Sequence, residues 1–274
     1  MIKRLTGLIV VVVAMATPSG TPALSGQEDT FQWSQRMTSG QVLEIKGISG
    51  GISAVPASGD MAEVVARKRG ERGDFGEVAV EVAQAGDRFV ICAVYGSWNH
   101  GQDRCHPDRS DRSERVPEGR RNQRMNVSVE FEVRVPAGVE LEGAMISGGI
   151  QAEGLTSDVS ASTVSGPISL STAGMAKANS VSGSLEIRMG DAGREDLQFR
   201  TVSGSITLWL PSGSNADVDF GSVSGDLSSD FDITVRSSRG GWVGSKIMGT
   251  IGQGGPEISL HTVSGNVRLR RAQG

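Results

Sequence analysis

Side chains able to do chemistry are few in this chain. Cys92 and Cys105 are its only cysteines, with 12 residues between them, and two of its three histidines, His100 and His106, lie in or beside that interval. Cys92, His100, Cys105 and His106 together offer the sulfur and imidazole ligands that suit zinc. Chelation of one ion by the adjacent Cys105 and His106 is awkward, however, and the spacing matches no familiar zinc finger. An even cysteine count in a chain that opens with an export leader favours a disulfide between Cys92 and Cys105 that pins the base of a loop. Loop entropy gives such a bridge about 3 kcal/mol. The third histidine, His261, opens the last copy of a repeat and reads as an ordinary strand residue.

Carboxylates recur through the second half, at Asp158, Asp196, Asp217, Asp219, Asp226, Asp230 and Asp232. Asp217 with Asp219, and Asp230 with Asp232, share a strand face, and paired carboxylates about 5 or 6.5–9.5 Å apart can cleave a glycosidic bond. Alternating aspartates on short strands and at turns are also ordinary solubilising surface, which is the reading adopted here. Gly47-Ile-Ser-Gly-Gly51 has the G-x-S-x-G string of a nucleophile elbow but not the strand-to-helix turn that the elbow needs. Gly252 to Gly255 is glycine-rich without the lysine and helix of a phosphate loop. No catalytic residue, metal site or cofactor is expected. The aromatic residues best placed to stack on a sugar ring are Trp209 and Trp242.

The elements that must position these residues are set by a repeated phrase. It occurs as Ile48-Ser-Gly-Gly-Ile52, Ile146-Ser-Gly-Gly-Ile150, Val164-Ser-Gly-Pro-Ile168, Val181-Ser-Gly-Ser-Leu185, Val202-Ser-Gly-Ser-Ile206, Val223-Ser-Gly-Asp-Leu227 and Val263-Ser-Gly-Asn-Val267. From Gly148 the phrase glycines fall at 166, 183, 204, 225 and 265, steps of 18, 17, 21, 21 and 40. The last step reads as two of about 20 with one degenerate copy between. A strand-like period of about 20 residues predicts a β-solenoid in which each coil stacks on the one before.

Within a copy, Val202, Ile206 and Leu208 share one parity and Thr201, Ser203, Ser205 and Thr207 the other, the period of a half-buried strand. The apolar set is expected inward, each residue contributing about 1.5–3 kcal/mol on burial, so Val202→Asp should unfold several coils. The phrase glycine either lets a neighbouring backbone approach or turns a corner at positive φ, and the corner is favoured. Outward hydroxyls then form two columns, Thr163, Ser180, Thr201, Ser222, Thr262 and Ser165, Ser182, Ser203, Ser224, Ser264, at a spacing of about 4.8 Å. Such ladders keep a sheet regular, and they can also meet carbohydrate hydroxyls.

The first third differs. Gln41 to Lys46, Glu63 to Arg67, Glu77 to Val82, Arg88 to Val94 and Val127 to Val135 read as strands, several of them paired as hairpins. Residues 26–136 are expected to form an N-terminal β cap with the first coils, continuous with the repeats of 137–274, because an uncapped coil presents open strand edges. A charged loop, 96–124, interrupts this part. From Arg104 to Arg124 it carries seven arginines against four acids, a solvated run rather than a basic binding patch. Ser237 to Gly255 reads as a long loop and one irregular coil.

Residues 1–25 read as a signal peptide, with Lys3 and Arg4, an apolar run of about 12 residues from Leu5 to Ala16, and a small-residue cleavage site at Ala23-Leu-Ser25. The run is short of the roughly 18–20 residues that cross a bilayer, so no transmembrane span is expected after cleavage. Loss of Lys3 and Arg4 takes the formal charge from −4 to −6, a poor balance for nucleic-acid binding.

The order of leader, Leu43-Glu-Ile-Lys-Gly-Ile-Ser-Gly-Gly-Ile52 opening, Val133-Arg-Val-Pro-Ala-Gly138 step, Thr/Ser-Val-Ser-Gly-x-Ile coils and Gly-Gly-Pro256-Glu-Ile-Ser-Leu-His-Thr-Val-Ser-Gly265 close resembles the bacterial putative-adhesin domain of unknown function. That resemblance implies an all-β, right-handed parallel β-helix or β-solenoid of extracytoplasmic location, with no catalytic residues to carry over. The expected function is a non-catalytic adhesin, scaffold or binding module at the cell envelope, periplasmic, secreted or surface-bound, whose partner is an envelope polysaccharide or an envelope protein. The alternatives are a polysaccharide-cleaving β-helix enzyme, or an interaction module of an envelope stress response that uses the Cys92–Cys105 loop or an exposed edge.

Overall fold

The structure, a computed structural model, describes residues 29–70, 75–95, 105, 127–191, 195–240 and 245–272. Alternating apolar residues and glycine corners make these almost wholly strand. They are β1 (Asp29–Arg36), β2 (Val42–Pro56), β3 (Met61–Arg69), β4 (Val78–Ala85), β5 (Arg88–Tyr95), β6 (Ser128–Val135), β7 (Glu140–Ser147), β8 (Ile150–Leu155), β9 (Val159–Ser165), β10 (Ile168–Thr172), β11 (Ala176–Ser182), β12 (Leu185–Met189), β13 (Leu197–Ser203), β14 (Ile206–Leu210), β15 (Ala216–Ser224), β16 (Leu227–Ser229), β17 (Ile233–Gly240), β18 (Ser245–Ile251), β19 (Glu257–Ser264) and β20 (Val267–Arg271). The one helical piece among the described residues is a 3₁₀ turn at Phe75–Glu77.

Each copy of the phrase is a corner joining two strands, one in each of two long ladders. The first ladder runs β4, β5, the front half of β2, β7, β9, β11, β13, β19, β15, β18, β17. The second runs β1, β3, β6, the back half of β2, β8, β10, β12, β14, β20, β16. Neighbours are parallel except at the ends. Alternate side chains from both ladders, among them Leu141, Phe199, Phe220 and Leu260 from the first and Ile168, Leu185, Ile187 and Leu208 from the second, are buried in one continuous core.

Stacking does not follow chain order at either end. The last copy does not sit beyond the Val223 copy. Instead β19 lies between β13 and β15, and β20 between β14 and β16. No degenerate coil separates the two copies in space. Residues expected to form that coil make the antiparallel hairpin β17–β18, which lies along β15. The first copy is displaced in the same way, β2 lying between the β5–β6 and β7–β8 strands. Of the expected N-terminal hairpins, β4–β5 forms, whereas β3 pairs with β1 and β6 rather than β2.

The expected parity is reversed on the first strand of each copy. Val202 is 49% exposed and Thr201 4%, and the same inversion holds at Val164, Val181, Val223 and Val263. Two successive outward residues, Val and Ser, precede each glycine and break the two-residue period, as in the β13 pattern of buried Leu197, Phe199 and Thr201 followed by exposed Val202 and Ser203. Hydrogen bonding explains why a hydroxyl displaces a valine from the interior. Thr201 donates to the Gly183 carbonyl of the neighbouring copy at 2.9 Å, Thr262 to Gly204 at 2.9 Å, Ser222 to Gly265 at 2.9 Å and Thr163 to Gly148 at 3.1 Å. At a corner these carbonyls leave the ladder, and an unmet buried acceptor costs about 1–3 kcal/mol. The valine that gives way retains half its exposure, a smaller loss.

The glycine does both of the things open to it. Gly204 has φ +155°, and a Cβ there would stand 2.2 Å from the Gly183 carbonyl oxygen. Corner and close approach coincide because the copies are stacked corner on corner.

Candidate binding surface

The sequence-predicted residues fall into four places. Ser165, Ser182, Ser203, Ser264 and Ser224 are exposed and in register, in that spatial order, and Ser49 and Ser147 extend the line. Beside them Ile48, Ile146, Val164, Val181, Val202, Val263 and Val223 form an exposed apolar line. The corner edge therefore presents parallel rows of methyl and hydroxyl groups. The companion column Thr163, Ser180, Thr201, Ser222 and Thr262 is buried and holds the corners together, so it is not available to a ligand as expected.

Trp209 is on the outer face of the second ladder. Strand alternation puts Leu208 and Leu210 into the core and Trp209 out. Its rung neighbours are Arg188 on β12 and Arg270 on β20. The Arg188 guanidinium lies 4.1 Å from the centre of the indole ring, a cation–π contact. Arg270 donates to Asp230 at 2.6 Å, and the Arg271 backbone N–H donates to the other Asp230 oxygen at 3.3 Å. Arg270 beside Asp230 holds that carboxyl below its usual range. Arg188, Trp209, Asp230, Arg270, Arg271 and Ala272 line a pocket of about 490 Å³. Trp242, the other predicted aromatic, lies outside the described residues, as do His100, His106 and the loop 96–124 apart from Cys105.

Cys92 and Cys105 form a disulfide, which takes both sulfurs away from the zinc alternative. With Val90 the bridge makes a small apolar cluster, separate from the main core. Nearby, Arg88 reaches from β5 across β2 to β7, donating to Glu44 at 3.1 Å and to Glu142 at 3.0 Å. These bonds raise its already high pKa.

The predicted carboxylate pairs are each tied to cations. Asp217 accepts from Thr250 at 2.9 Å and lies 3.2 Å from Arg236. Asp219 accepts from Lys246 at 2.9 Å and lies 3.3 Å from His261. Gly221 makes room for that imidazole, since a Cβ there would stand 2.4 Å from Nδ1. His261 is thus part of an outer-face charge cluster and not only a strand residue.

Sequence reasoning found Trp209 but not Arg188 or Arg270. Aligning the second strand of each copy would have put Ser171, Arg188 and Trp209 in one column. Arg270 joins that column only because β20 is inserted beside β14.

Residues 137–270 match the family model described as Toastrack DUF4097. That match covers just under half of the chain. Among solved structures it is similar to a putative cell adhesion protein from Clostridium sporogenes, at 6% identity and TM-score 0.43, covering 89% of this chain and 100% of that one. It is also similar to a putative adhesin from Bacteroides fragilis, at 12% identity and TM-score 0.34, covering 89% and 97%. No curated protein matches. All six of the described serine and tryptophan positions, the column Ser171, Arg188, Trp209 and Arg270, and four of the six residues lining the pocket lie within the matched residues 137–270, whereas the disulfide and β1 to β6 precede them. Among the described residues no helix is long and apolar enough to cross a membrane.

Proposed function

We propose that this protein is a non-catalytic binding module of the Toastrack type, exported to the cell envelope, where it holds an envelope polysaccharide or an envelope protein. The observation that carries the reading is Trp209, half-buried and open to a pocket of about 490 Å³ on a face whose strands are locked in register on both sides. A rigid sheet that offers an aromatic plane with polar groups around it binds without paying for ordering at the moment of contact. In this reading the leader 1–25 is removed and the chain winds as a right-handed solenoid with coils of about 20 residues. Residues 26–136 serve as its N-terminal cap, continuous with 137–274, and the corner serines Ser165, Ser182, Ser203, Ser224 and Ser264 form a second contact line.

The test is to incubate the exported protein with purified envelope polysaccharide and cell-wall fractions, then assay the pellet for protein and the supernatant for released sugar. Co-sedimentation without release is expected. Released oligosaccharide would overturn the non-catalytic reading, and protein that stays in the supernatant with every fraction would overturn the binding reading.

A further inference from the structure

We infer that the Trp209 pocket is a subsite for an anionic, carboxylate-bearing glycan, with Trp209 taking the sugar ring and Arg188 and Arg270 taking its acid groups; this rests on the binding reading above. The residues are placed by register, not by a loop. Arg188, Trp209 and Arg270 occupy three consecutive parallel rungs, which sets them about 4.8 Å apart along the ladder. All three point away from the core, because Ile187, Met189, Leu208, Leu210 and Leu269 fill the inward positions.

Charge then narrows the ligand. Three guanidinium groups and one carboxylate line the pocket, a local excess of positive charge on a chain whose formal net charge is −4. Among the described residues Arg188 has no carboxylate partner, and its guanidinium rests on the indole face. Such a group keeps its forked donors available for a planar oxyanion. Arg270 is braced by Asp230, and Arg271 lies over Phe231 at 5.2 Å, so the far wall is preorganised while the Arg188 wall can move. A neutral sugar would use the indole but would desolvate Arg188 without return. A carboxylate-bearing sugar uses both: its acid group draws Arg188 off the ring and its C–H face takes the vacated indole surface. Ser171, the next rung beyond Arg188, continues the line for a second sugar unit.

The matched probes are polygalacturonate oligomers and the same oligomers fully methyl-esterified, which share one sugar backbone and differ in the charge and the small ester methyl, with an oligothymidylate as a third arm. Binding to the full-length protein is followed by calorimetry and by tryptophan fluorescence, since departure of Arg188 from the ring alters Trp209 emission. The acid form is expected to bind at least about tenfold more tightly than the ester, as loss of one charge-assisted bond implies, and to weaken as salt is raised. R188Q should lose about tenfold for the acid form and little for the ester. R188K should recover only part of it, because a point charge lacks the fork. W209A should lose both forms and the fluorescence response. Melting curves of all three variants should match the parent, since none of these side chains is in the core. Equal binding of acid and ester, failure of the acid form to bind, or equally tight binding of oligothymidylate would each overturn the inference, whereas the binding reading itself stands or falls on co-sedimentation with the envelope fractions.

Discussion

Replacing Thr201 by valine separates the two accounts of what the repeat phrase does. The side chains have nearly the same shape, so no cavity opens, and the inward surface becomes more apolar. An argument from hydrophobic patterning alone makes T201V neutral or stabilising. The structure says otherwise, because the hydroxyl donates to the Gly183 carbonyl at 2.9 Å where two corners stack. Its loss leaves a partly buried acceptor unmet, which costs about 1–2 kcal/mol, the lower part of the usual range because the corner retains some access to water. For a chain of this size that is a fall in melting temperature of roughly 2–8 °C. The paired control is V202T, at a position 49% exposed, expected within about 0.5 kcal/mol of the parent. Urea unfolding of both variants, with unchanged m-values, checks the comparison. A T201V protein as stable as the parent, or a V202T protein less stable than T201V, would refute the assignment of the hydroxyl rather than the valine to the interior.

Three other perturbations test other parts of the scaffold. Gly204→Ala should cost about 2–4 kcal/mol in urea unfolding, since it combines strain at φ +155° with a Cβ 2.2 Å from a backbone oxygen; Gly213→Ala, with nothing within 4 Å, should be close to neutral. Replacing Cys92 and Cys105 together by serine should cost about 3 kcal/mol by loop entropy, with glycan binding unchanged because the pocket is on other strands. Glu140 has its pKa raised above the ordinary 4.5, chiefly by burial and then by Glu142 and Asp158. A raised acid stabilises the fold while protonated and loses that contribution as pH rises through its folded pKa. E140Q should therefore be the more stable protein at pH 7, with the difference shrinking toward pH 4; a difference that grows on acidification would refute the burial argument.

How far the sequence reads depends on which neighbour a residue has. Strand positions, the Cys92–Cys105 bridge, the exposed serine line and Trp209 were legible because each follows from a residue's own type and from the period of its own copy. The buried hydroxyls were not, since Thr201 and Val202 differ in environment only through a carbonyl on another copy. A parity rule cannot see that carbonyl. In the column around Trp209 only the tryptophan was read from the sequence; Arg188, on the preceding copy, was within reach of an alignment of second strands. Arg270 stands 61 positions after Trp209 yet one rung away, and no spacing within the chain announces that the last copy is inserted. The same insertion brings His261 to Asp219, which Lys246 reaches from β18 on the other side. Sites made by a topological exchange escape a reading that assumes each repeat stacks on its predecessor.

That exchange also answers a physical problem. A stack of parallel strands ending in its own first and last copies would offer two regular, unpaired edges, each a template for another chain. Here neither terminal copy is at an end. β2 is covered by β5 and β6, and β19–β20 by β15 and β16. Apart from β16, whose Leu227 closes the Val223 copy, the outer positions go to strands that no longer carry the phrase. At one end of the second ladder β1 is tied down by charge, with Lys68 2.6 Å from Asp29 and Arg36 2.9 Å from Asp60, and at the other β16 is only three residues long. At the end of the first ladder the β17–β18 hairpin runs antiparallel along β15. With charged, short or antiparallel strands at its margins, the molecule keeps its regular surfaces for the broad faces and corners, where the arginine–tryptophan column and the serine line lie.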